Sequence, residues 1–397
     1  MTGICMFFPI FPPRYGGGTI QAITLAKELR SRGVDIFFVA LTDDPSQRGE
    51  AIFEGFEVHF VQIADLDVYI ESRSSIPEKL KLLLKIYSKM YSLRKRYSIL
   101  HIQGLAYPYS SLSILAGLLG KRSIAKVSML QEVAFSDCGR LFGRMSRLSA
   151  RRLDRLVAIS SMIRRAAVDS GIDGSMVEFV PNAVDVEKYF PLPGPERAAL
   201  KSSLGITGKP VVTFVGAITY RKGVDGLVSL WPDIAAGFPD SVLVLIGPRS
   251  EEEGVSGDRF CFEEATGMVR EHNMESRVLF KGRVDNVAEY LQVSDLFVFP
   301  STMEGMPNVV LEAMACGVPA IAYRVSGVED VIEDGENGLL LDVGDTEGFR
   351  SAVSQLLGSG DKRGLFGKNA LETIRGGFTY REIADRYIEI YRSLEKY

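Results

Sequence analysis

The sequence is poor in the residues that build metal and thiol chemistry. Its 397 residues include three histidines, four cysteines and one tryptophan. Cys5, Cys138, Cys261 and Cys316 lie far apart, so no CxxC pair exists to bind zinc or cycle as a dithiol. His59, His101 and His272 are equally scattered, and there is no HxxxH or HExxH pattern, so no metal site is expected. No GxSxG elbow supports a hydrolase, and no GxGxxG loop or P-loop lysine supports dinucleotide or ATP binding. Long apolar runs are missing too. The longest, Leu112 to Leu119, is broken by Ser113 and Gly117 and falls far short of the ~18 residues that span a bilayer. The first segment has no basic stretch and no small-residue cleavage site, so it reads as a strand entering a loop and not as a signal peptide. A reducing, cytoplasmic setting is the expectation.

What is present is globular material. Hydrophobic residues make up 46% and charged residues 24%, which excludes a disordered chain or a disulfide scaffold. At roughly 100–200 residues per domain, the length predicts two or three domains. The net charge of −4 hides an asymmetry. Through Phe190 there are 25 basic and 19 acidic residues, and the remainder is acidic. A basic half suits an anionic partner such as a lipid surface or a phosphorylated substrate. Two basic stretches stand out. Over Glu78–Tyr97 the spacing predicts a helix with Leu80, Leu83, Leu84, Tyr87 and Tyr91 as its core face and lysines around it. The run Arg140, Arg144, Arg147, Arg151 and Arg152 is the second. Either can meet anionic lipid. No nucleic-acid partner is expected.

Both halves alternate short apolar runs with amphipathic stretches, the pattern of parallel sheets covered by helices. Ile4–Phe8, Val34–Leu41, Ile99–Gln103, Ala125–Leu130 and Leu156–Ser160 are the expected strands of the first half. Val211–Val215, Val242–Ile246, Val278–Phe280, Leu296–Pro300 and Ala320–Tyr323 are those of the second. Tyr189–Pro195, with three prolines and a glycine, is expected to link them. Domains are therefore expected at 1–188 and 189–377, with a terminal helix at 378–397 returning to the first domain. In open α/β sheets ligands bind beyond the carboxyl ends of strands, so the informative residues should follow strands.

Three loops fit that rule. Gly16-Gly17-Gly18 follows the first strand and precedes a helix, where a bare backbone and a helix N-terminus suit an anion. Gly216-Ala217-Ile218-Thr219-Tyr220-Arg221-Lys222-Gly223 follows Val215 and places two cations at the sheet mouth, where they can neutralise a departing diphosphate. The richest is Ser301 to Asn308, running into a helix through Cys316. The amides around Gly305, Met306, Pro307 and Asn308 form an anion cradle. Glu304 and Glu312 flank it, and a carboxylate suits a pair of vicinal hydroxyls. His101, near the end of its strand, and Gln131 are further candidates for a ligand cleft.

Together these segments resemble the retaining glycosyltransferases of family 4, with the GT-B fold of two Rossmann-like α/β domains facing across a cleft. The resemblance spans nearly the whole chain. It is strongest from Ser294 to Pro319, where Glu304 and Glu312 match the family's E-x7-E pattern. Gly17-Gly18, Pro181-Asn182-x-Val184-Asp185, Lys222-Gly223 and Asp334–Leu340 support it.

The resemblance implies an acceptor-binding first domain and a donor-binding second domain. It implies a nucleoside diphosphate sugar donor, UDP- or GDP-linked, with no further cofactor and no metal. Lys222 and Glu304 would be catalytic. Gly17, Gly18, Gly216, Arg221, Gly305, Met306, Pro307, Asn308 and Glu312 would hold the donor. A sugar or lipid-linked sugar would accept, in polysaccharide, glycolipid or glycoconjugate synthesis, with peripheral contact at the inner membrane face.

The chain departs from the family at Ala217, where arginine is common, at Gln131 and Glu132, where many members carry a histidine, and at Ser326 and Asp330, where glycine and glutamate are usual. Two alternatives remain open at this point: a nucleotide-sugar epimerase of the same fold, and a nucleotide-sugar-binding partner subunit with little turnover.

Overall fold

The computed structural model describes residues 3–13, 16–65, 75–106, 109–134, 139–206, 210–251 and 258–395. In chain order the elements begin with β1 (Ile4–Phe8), α1 (Gly17–Ser31), β2 (Ile36–Thr42), β3 (Glu50–Phe53), β4 (Phe56–Gln62), α2 (Ile76–Ser92) and β5 (Ile99–Gln103). They continue through α3 (Leu112–Leu118), β6 (Arg122–Val127), α4 (Leu130–Ala134), α5 (Gly139–Ala150), β7 (Arg155–Ala158), α6 (Ser161–Asp169) and β8 (Val177–Phe179). Next come α7 (Gly194–Ser203), β9 (Val211–Val215), α8 (Val224–Gly237), β10 (Val242–Ile246), α9 (Phe262–Glu271), β11 (Val278–Gly282) and α10 (Val287–Val293). The chain closes with β12 (Leu296–Phe299), α11 (Asn308–Ala315), β13 (Ala320–Tyr323), β14 (Gly338–Leu341), α12 (Thr346–Leu357), α13 (Gly360–Arg375) and α14 (Tyr380–Glu395).

These elements form two compact units, residues 1–182 with 380–397, and residues 183–379. The first holds an eight-stranded sheet in the order β3-β4-β2-β1-β5-β6-β7-β8, parallel except for the β3 edge. Its central strands are buried along their whole length, as continuous apolar runs covered on both faces must be. Helix α14 belongs to this unit and lies against α1. Arg32 at the end of α1 pairs with Asp385 and donates to the Arg381 carbonyl. Tyr387 and Tyr391 fill the interior beneath α14. The second unit holds a six-stranded parallel sheet in the order β11-β10-β9-β12-β13-β14.

Three expectations are corrected. The basic helix runs over Ile76–Ser92, opened by a Ser75–Glu78 capping box, and does not extend to Tyr97. It carries two apolar stripes, and the buried one is Leu82, Ile86 and Met90, while Leu80, Leu84 and Tyr91 are exposed. The helix therefore rolls about a third of a turn from the expected face, which leaves an apolar stripe in solvent. The run Ala125–Leu130 is also split. Its strand stops at Val127, and Leu130 opens the short α4.

The segment Tyr189–Pro195 does not separate the units. The division lies at Asn182/Ala183, and Tyr189 is buried against α11 within the second unit. Its prolines exclude it from the sheet, but its aromatic anchor ties it down. Pro191 covers Gly317, where an added Cβ would come within 3.3 Å of the proline ring.

Candidate active site

The carboxyl edge of the second sheet gathers the loops after β9 and β12. Gly223 makes their approach possible. Its φ is +71°, and a Cβ there would lie 2.3 Å from the Pro300 carbonyl oxygen. Only glycine fits such a contact in the left-handed region. The close approach brings Lys222 to Glu304, with Nζ donating to Oε1 at 2.6 Å. The Ser301 hydroxyl donates to the same oxygen, also at 2.6 Å. Phe299 lies beneath the lysine, its ring centre 5.1 Å from Nζ. The Lys222 and Glu304 side chains are only 15% and 12% exposed, so this pair is shielded more than a surface ion pair would be.

Arg221 is held by a different set of groups. Its guanidinium makes a two-pronged bond to Asp258, with distances of 2.6 to 3.1 Å, and donates to the Met303 carbonyl at 2.9 Å. It reaches Glu304 at 3.5 Å. The pairing holds the Asp258 carboxyl below its ordinary range and raises Arg221 further. Asp258 is placed by a short antiparallel contact, in which Thr219 bridges Phe260 and the Tyr220 amide donates to the Arg259 carbonyl. Ala217, where the resemblance expects arginine, is buried.

The expected anion cradle, Gly305, Met306 and Pro307, leads into Asn308, the first residue of α11. Pro307 is the cap of that helix and fixes its entry. Ser326 is buried and its hydroxyl donates to the Gly305 carbonyl at 2.9 Å. Gly327 follows with φ +78°, and a Cβ there would collide with Gly305 and Met306 at 2.5 Å. Ser326 and Gly327 thus press against the cradle from behind. One turn into α11, Glu312 accepts a bond from the Tyr189 hydroxyl. Burial pushes the Glu312 carboxyl up to about 7, opposed by Lys188 and that hydroxyl. Lys222, Glu304, Arg221, Gly216, Gly305, Met306, Pro307, Asn308 and Glu312 therefore all lie along one sheet edge of one unit.

Gly17, Gly18 and Gln131 lie at the carboxyl edge of the other sheet. Gly16 caps α1, and a Cβ on Gly18 would stand 3.8 Å from the Ser128 hydroxyl. Gln131 sits in α4 beside Glu132. The Glu132 carboxylate accepts from the amides of Leu105, Ser128 and Met129, which staples the two loops together. Lys126 is buried at the end of β6 and donates to Asn182 Oδ1 at 3.0 Å. Burial pulls its amine down to about 8, with Glu132 opposing.

His101 does not line a cleft. It is fully buried, 2.7 Å from the Tyr391 hydroxyl and stacked on Tyr387, and burial pulls it down to about 3. It is a neutral core residue under α14.

Sequence reasoning missed Asp258, Tyr189 and Lys126 as site-building residues, and named Ser301 and Glu132 without giving either side chain a role. Asn182 entered the sequence reading only within a segment that supports the resemblance, and nothing in the sequence pairs Asp258 with Arg221 across 37 positions. Among the described residues one group has metal-ligand spacing, Glu50, Glu57 and His59. The two carboxylates sit on opposite nitrogens of His59, and Glu57 is already claimed by both prongs of Arg96.

Two family models match the chain. The one for glycosyltransferase family 4 matches residues 15–188, and the one for glycosyl transferases group 1 matches residues 196–373. The N-acetyl-alpha-D-glucosaminyl L-malate synthase of Bacillus anthracis is 28% identical over 384 residues, 96% of this chain and 94% of its own. Among solved structures, the sucrose-phosphate synthase of Thermosynechococcus elongatus has a TM-score of 0.77 at 20% identity, with 99% of both chains covered. The Anabaena protein HepE, solved with UDP-glucose, has a TM-score of 0.77 at 18% identity, covering 98% of this chain and 99% of its own. Two parallel α/β sheets, one pattern of site-bearing loops and matches that together span both units lead to one conclusion: the chain belongs to the family 4 glycosyltransferases and has their GT-B fold.

Proposed function

We propose that this protein transfers a sugar from a nucleoside diphosphate sugar to an acceptor hydroxyl, with retention at the anomeric carbon and without a metal. The observation that carries the reading is the Lys222–Glu304–Ser301 cluster set against the start of α11. Lys222 and Ser301 both bond to Oε1, so the carboxylate is oriented by two donors and its second oxygen is left to accept from sugar hydroxyls. Lys222 and the α11 N-terminus supply positive potential where the diphosphate would lie. Arg221, fixed by Asp258, adds a second cation 3.5 Å from Glu304 on the loop where Ala217 carries no charge. Glu312, once ionised, accepts from the ribose hydroxyls.

The chemistry is then electrostatic. The bond between the anomeric carbon and the β-phosphate oxygen breaks, and Lys222 stabilises the negative charge that collects on that phosphate. The acceptor oxygen bonds to the same face of the sugar, and its proton passes to the departing phosphate oxygen. Glu304 and Glu312 do not act as a glycosidase acid/base pair. The solved relatives with bound UDP and UDP-glucose favour a UDP-sugar donor, while a relative that uses GDP-mannose keeps a GDP-sugar in play. The acceptor is a sugar or a lipid-linked sugar.

A thermal-shift screen against UDP-, GDP-, ADP- and TDP-sugars in EDTA identifies the base, because a donor at a hundred times its Kd stabilises by ~2.7 kcal/mol. Turnover then tests the roles. Lys222→Ala and Glu304→Ala should each lose ~10²–10³ in kcat. Near-normal turnover in both variants refutes the assignment. Epimerised donor formed without any acceptor, or donor binding with no turnover in any acceptor mixture, refutes the transfer reading.

A further inference from the structure

Helices α8 and α12 pack together in the second unit, and both start at the carboxyl edge of its sheet. Between their first turns lies a cavity of about 190 Å³. Tyr323, the last residue of β13, and Phe349 of α12 meet edge to face in its wall, with ring centres 5.3 Å apart. Leu227 and Leu230 of α8 line it as well. Glycine keeps it open. Gly226 and Gly344 belong to the wall, and an added Cβ on either would meet nothing within 4 Å. Val343, 49% exposed, stands where the cavity reaches solvent.

This space is separate from the candidate active site. Lys222, Glu304, Gly216 and the residues Gly305 to Asn308 do not line it. The Lys222 stem turns instead toward Gly216 at the end of β9, 3.8 Å from where a Cβ would stand. The two sites share a partition. Gly223 and Pro300, whose close approach brings Lys222 to Glu304, form part of the cavity wall, and Thr302 continues it.

The polar groups of the wall narrow the ligand. Asp225, in the first turn of α8, is its one charged side chain among the described residues. The Asp225 Oδ1 atom is buried, and among the described residues no donor reaches it. A buried acceptor without a donor costs free energy that a ligand hydroxyl recovers. The Thr302 hydroxyl donates to the Arg221 carbonyl at 3.1 Å and keeps its lone pairs for another donor. An anion is disfavoured, because Asp225 repels it and the Asp345 carboxylate already caps α12, accepting from the Gly348 amide at 2.8 Å. A cation is disfavoured, because the positive ends of two helices converge here. Hydroxyl groups satisfy both conditions, since each donates and accepts. Size narrows the choice again. A void of about 150 Å³ takes a benzene ring. A cavity of about 190 Å³ with one open side therefore takes a single six-membered ring with its substituents, and not a nucleotide. Apolar walls with a few placed polar groups are the usual composition of such a site.

We propose that the α8–α12 cavity is a second carbohydrate site, which binds one neutral pyranose ring with its hydroxyls on Asp225 and its apolar face against Leu227, Leu230 and Tyr323. The ring belongs to a free sugar or to the end of a glycan, since both present the same chemistry. The inference goes beyond the transfer reading, and binding is measured without turnover.

Saturation-transfer NMR with ligand titration on the full chain tests it, with UDP and GDP present in excess to occupy a nucleotide site. The probes are the methyl glycosides of glucose, galactose and mannose, together with maltotriose. Cyclohexylamine and phenyl phosphate serve as charged rings of similar size. At least one neutral pyranoside should receive saturation, and neither charged ring should displace it. Gly226→Phe puts a side chain into the cavity and should abolish binding while leaving thermal unfolding unchanged. Val343→Trp covers the open side and should do the same, which keeps the test decisive if the first variant unfolds. Asp225→Ala should weaken binding about tenfold, the scale for losing a hydrogen bond to a charged group. Lys222→Ala should leave it unchanged. Maltotriose binding more tightly than methyl glucoside assigns the site to glycan ends, and the reverse assigns it to free sugars. Absence of saturation in every neutral pyranoside, binding that survives both filling variants, equal loss in Lys222→Ala, or displacement by a charged ring overturns the proposal.

Discussion

Glu312→Gln separates stability from function at one atom. The folded protein holds this carboxyl at about 7, and the ordinary value is 4.5. The folded state therefore keeps a proton that the unfolded chain has released between those two values. Stability falls as pH rises across that window and is level above it. A gap of about 2.5 units corresponds to roughly 3 kcal/mol of stability lost between pH 4.5 and 7. Glutamine has the same shape, stays neutral, and offers its amide oxygen to the Tyr189 hydroxyl. The variant should match the parent near pH 5 and exceed it by about 2–3 kcal/mol at pH 8. Denaturant unfolding of both proteins at pH 5 and pH 8 measures this, because the difference between them cancels every other titrating group.

Donor affinity should move the other way. The parent should bind the nucleotide sugar more tightly as pH rises from 6 to 8, because the ionised carboxylate is the better acceptor for two ribose hydroxyls. Glu312→Gln should bind about ten- to a hundredfold more weakly at pH 8 and lose that pH dependence. A variant no more stable than the parent at pH 8 would refute the buried-carboxyl argument. A variant with parental donor affinity would refute the ribose contact.

Other perturbations read neighbouring parts of the site. Asp258→Asn removes the charge that fixes Arg221 and should lower kcat roughly tenfold with little change in melting temperature; equal loss from Arg221→Ala, and no further loss in the double variant, would show that the two act as one unit. Ser326→Ala leaves the buried Gly305 carbonyl without its donor and should cost about 1–2 kcal/mol in unfolding free energy, together with weaker binding of the diphosphate product by calorimetry. Gly223→Ala places a Cβ against the Pro300 carbonyl in a left-handed backbone; it should cost at least ~2 kcal/mol and reduce turnover sharply, since the Lys222–Glu304 contact depends on that approach.

Much of this protein was legible from residue order alone. The strands Ile4–Phe8, Ile99–Gln103, Val211–Val215, Val242–Ile246 and Ala320–Tyr323 stand where mainly apolar runs put them, because a parallel strand buried on both faces has little room for polar alternation. The Glu304–Glu312 spacing is local as well. It follows from a strand, a tight loop and one helical turn, so neighbouring residues suffice to reveal it. Helix α2 shows where local pattern fails. Two apolar stripes fit its sequence equally well, and only the sheet beneath decided that Leu82, Ile86 and Met90 go inside and Leu80, Leu84 and Tyr91 stay out. His101 reads as a site residue from its place near a strand end, yet α14, nearly three hundred positions away, covers it with Tyr387 and Tyr391. The Arg221–Asp258 pair, the Tyr189 bond to Glu312 and the Glu132 staple likewise join segments distant in the chain. The sequence by itself determined the fold class and the family, and marked the loops proposed to carry the chemistry, since each depends on residues within a few turns of one another. Tertiary structure alone decided which charges are paired, which carboxyl stays protonated near neutrality and which apolar stripe faces outward, because burial and long-range contact set these.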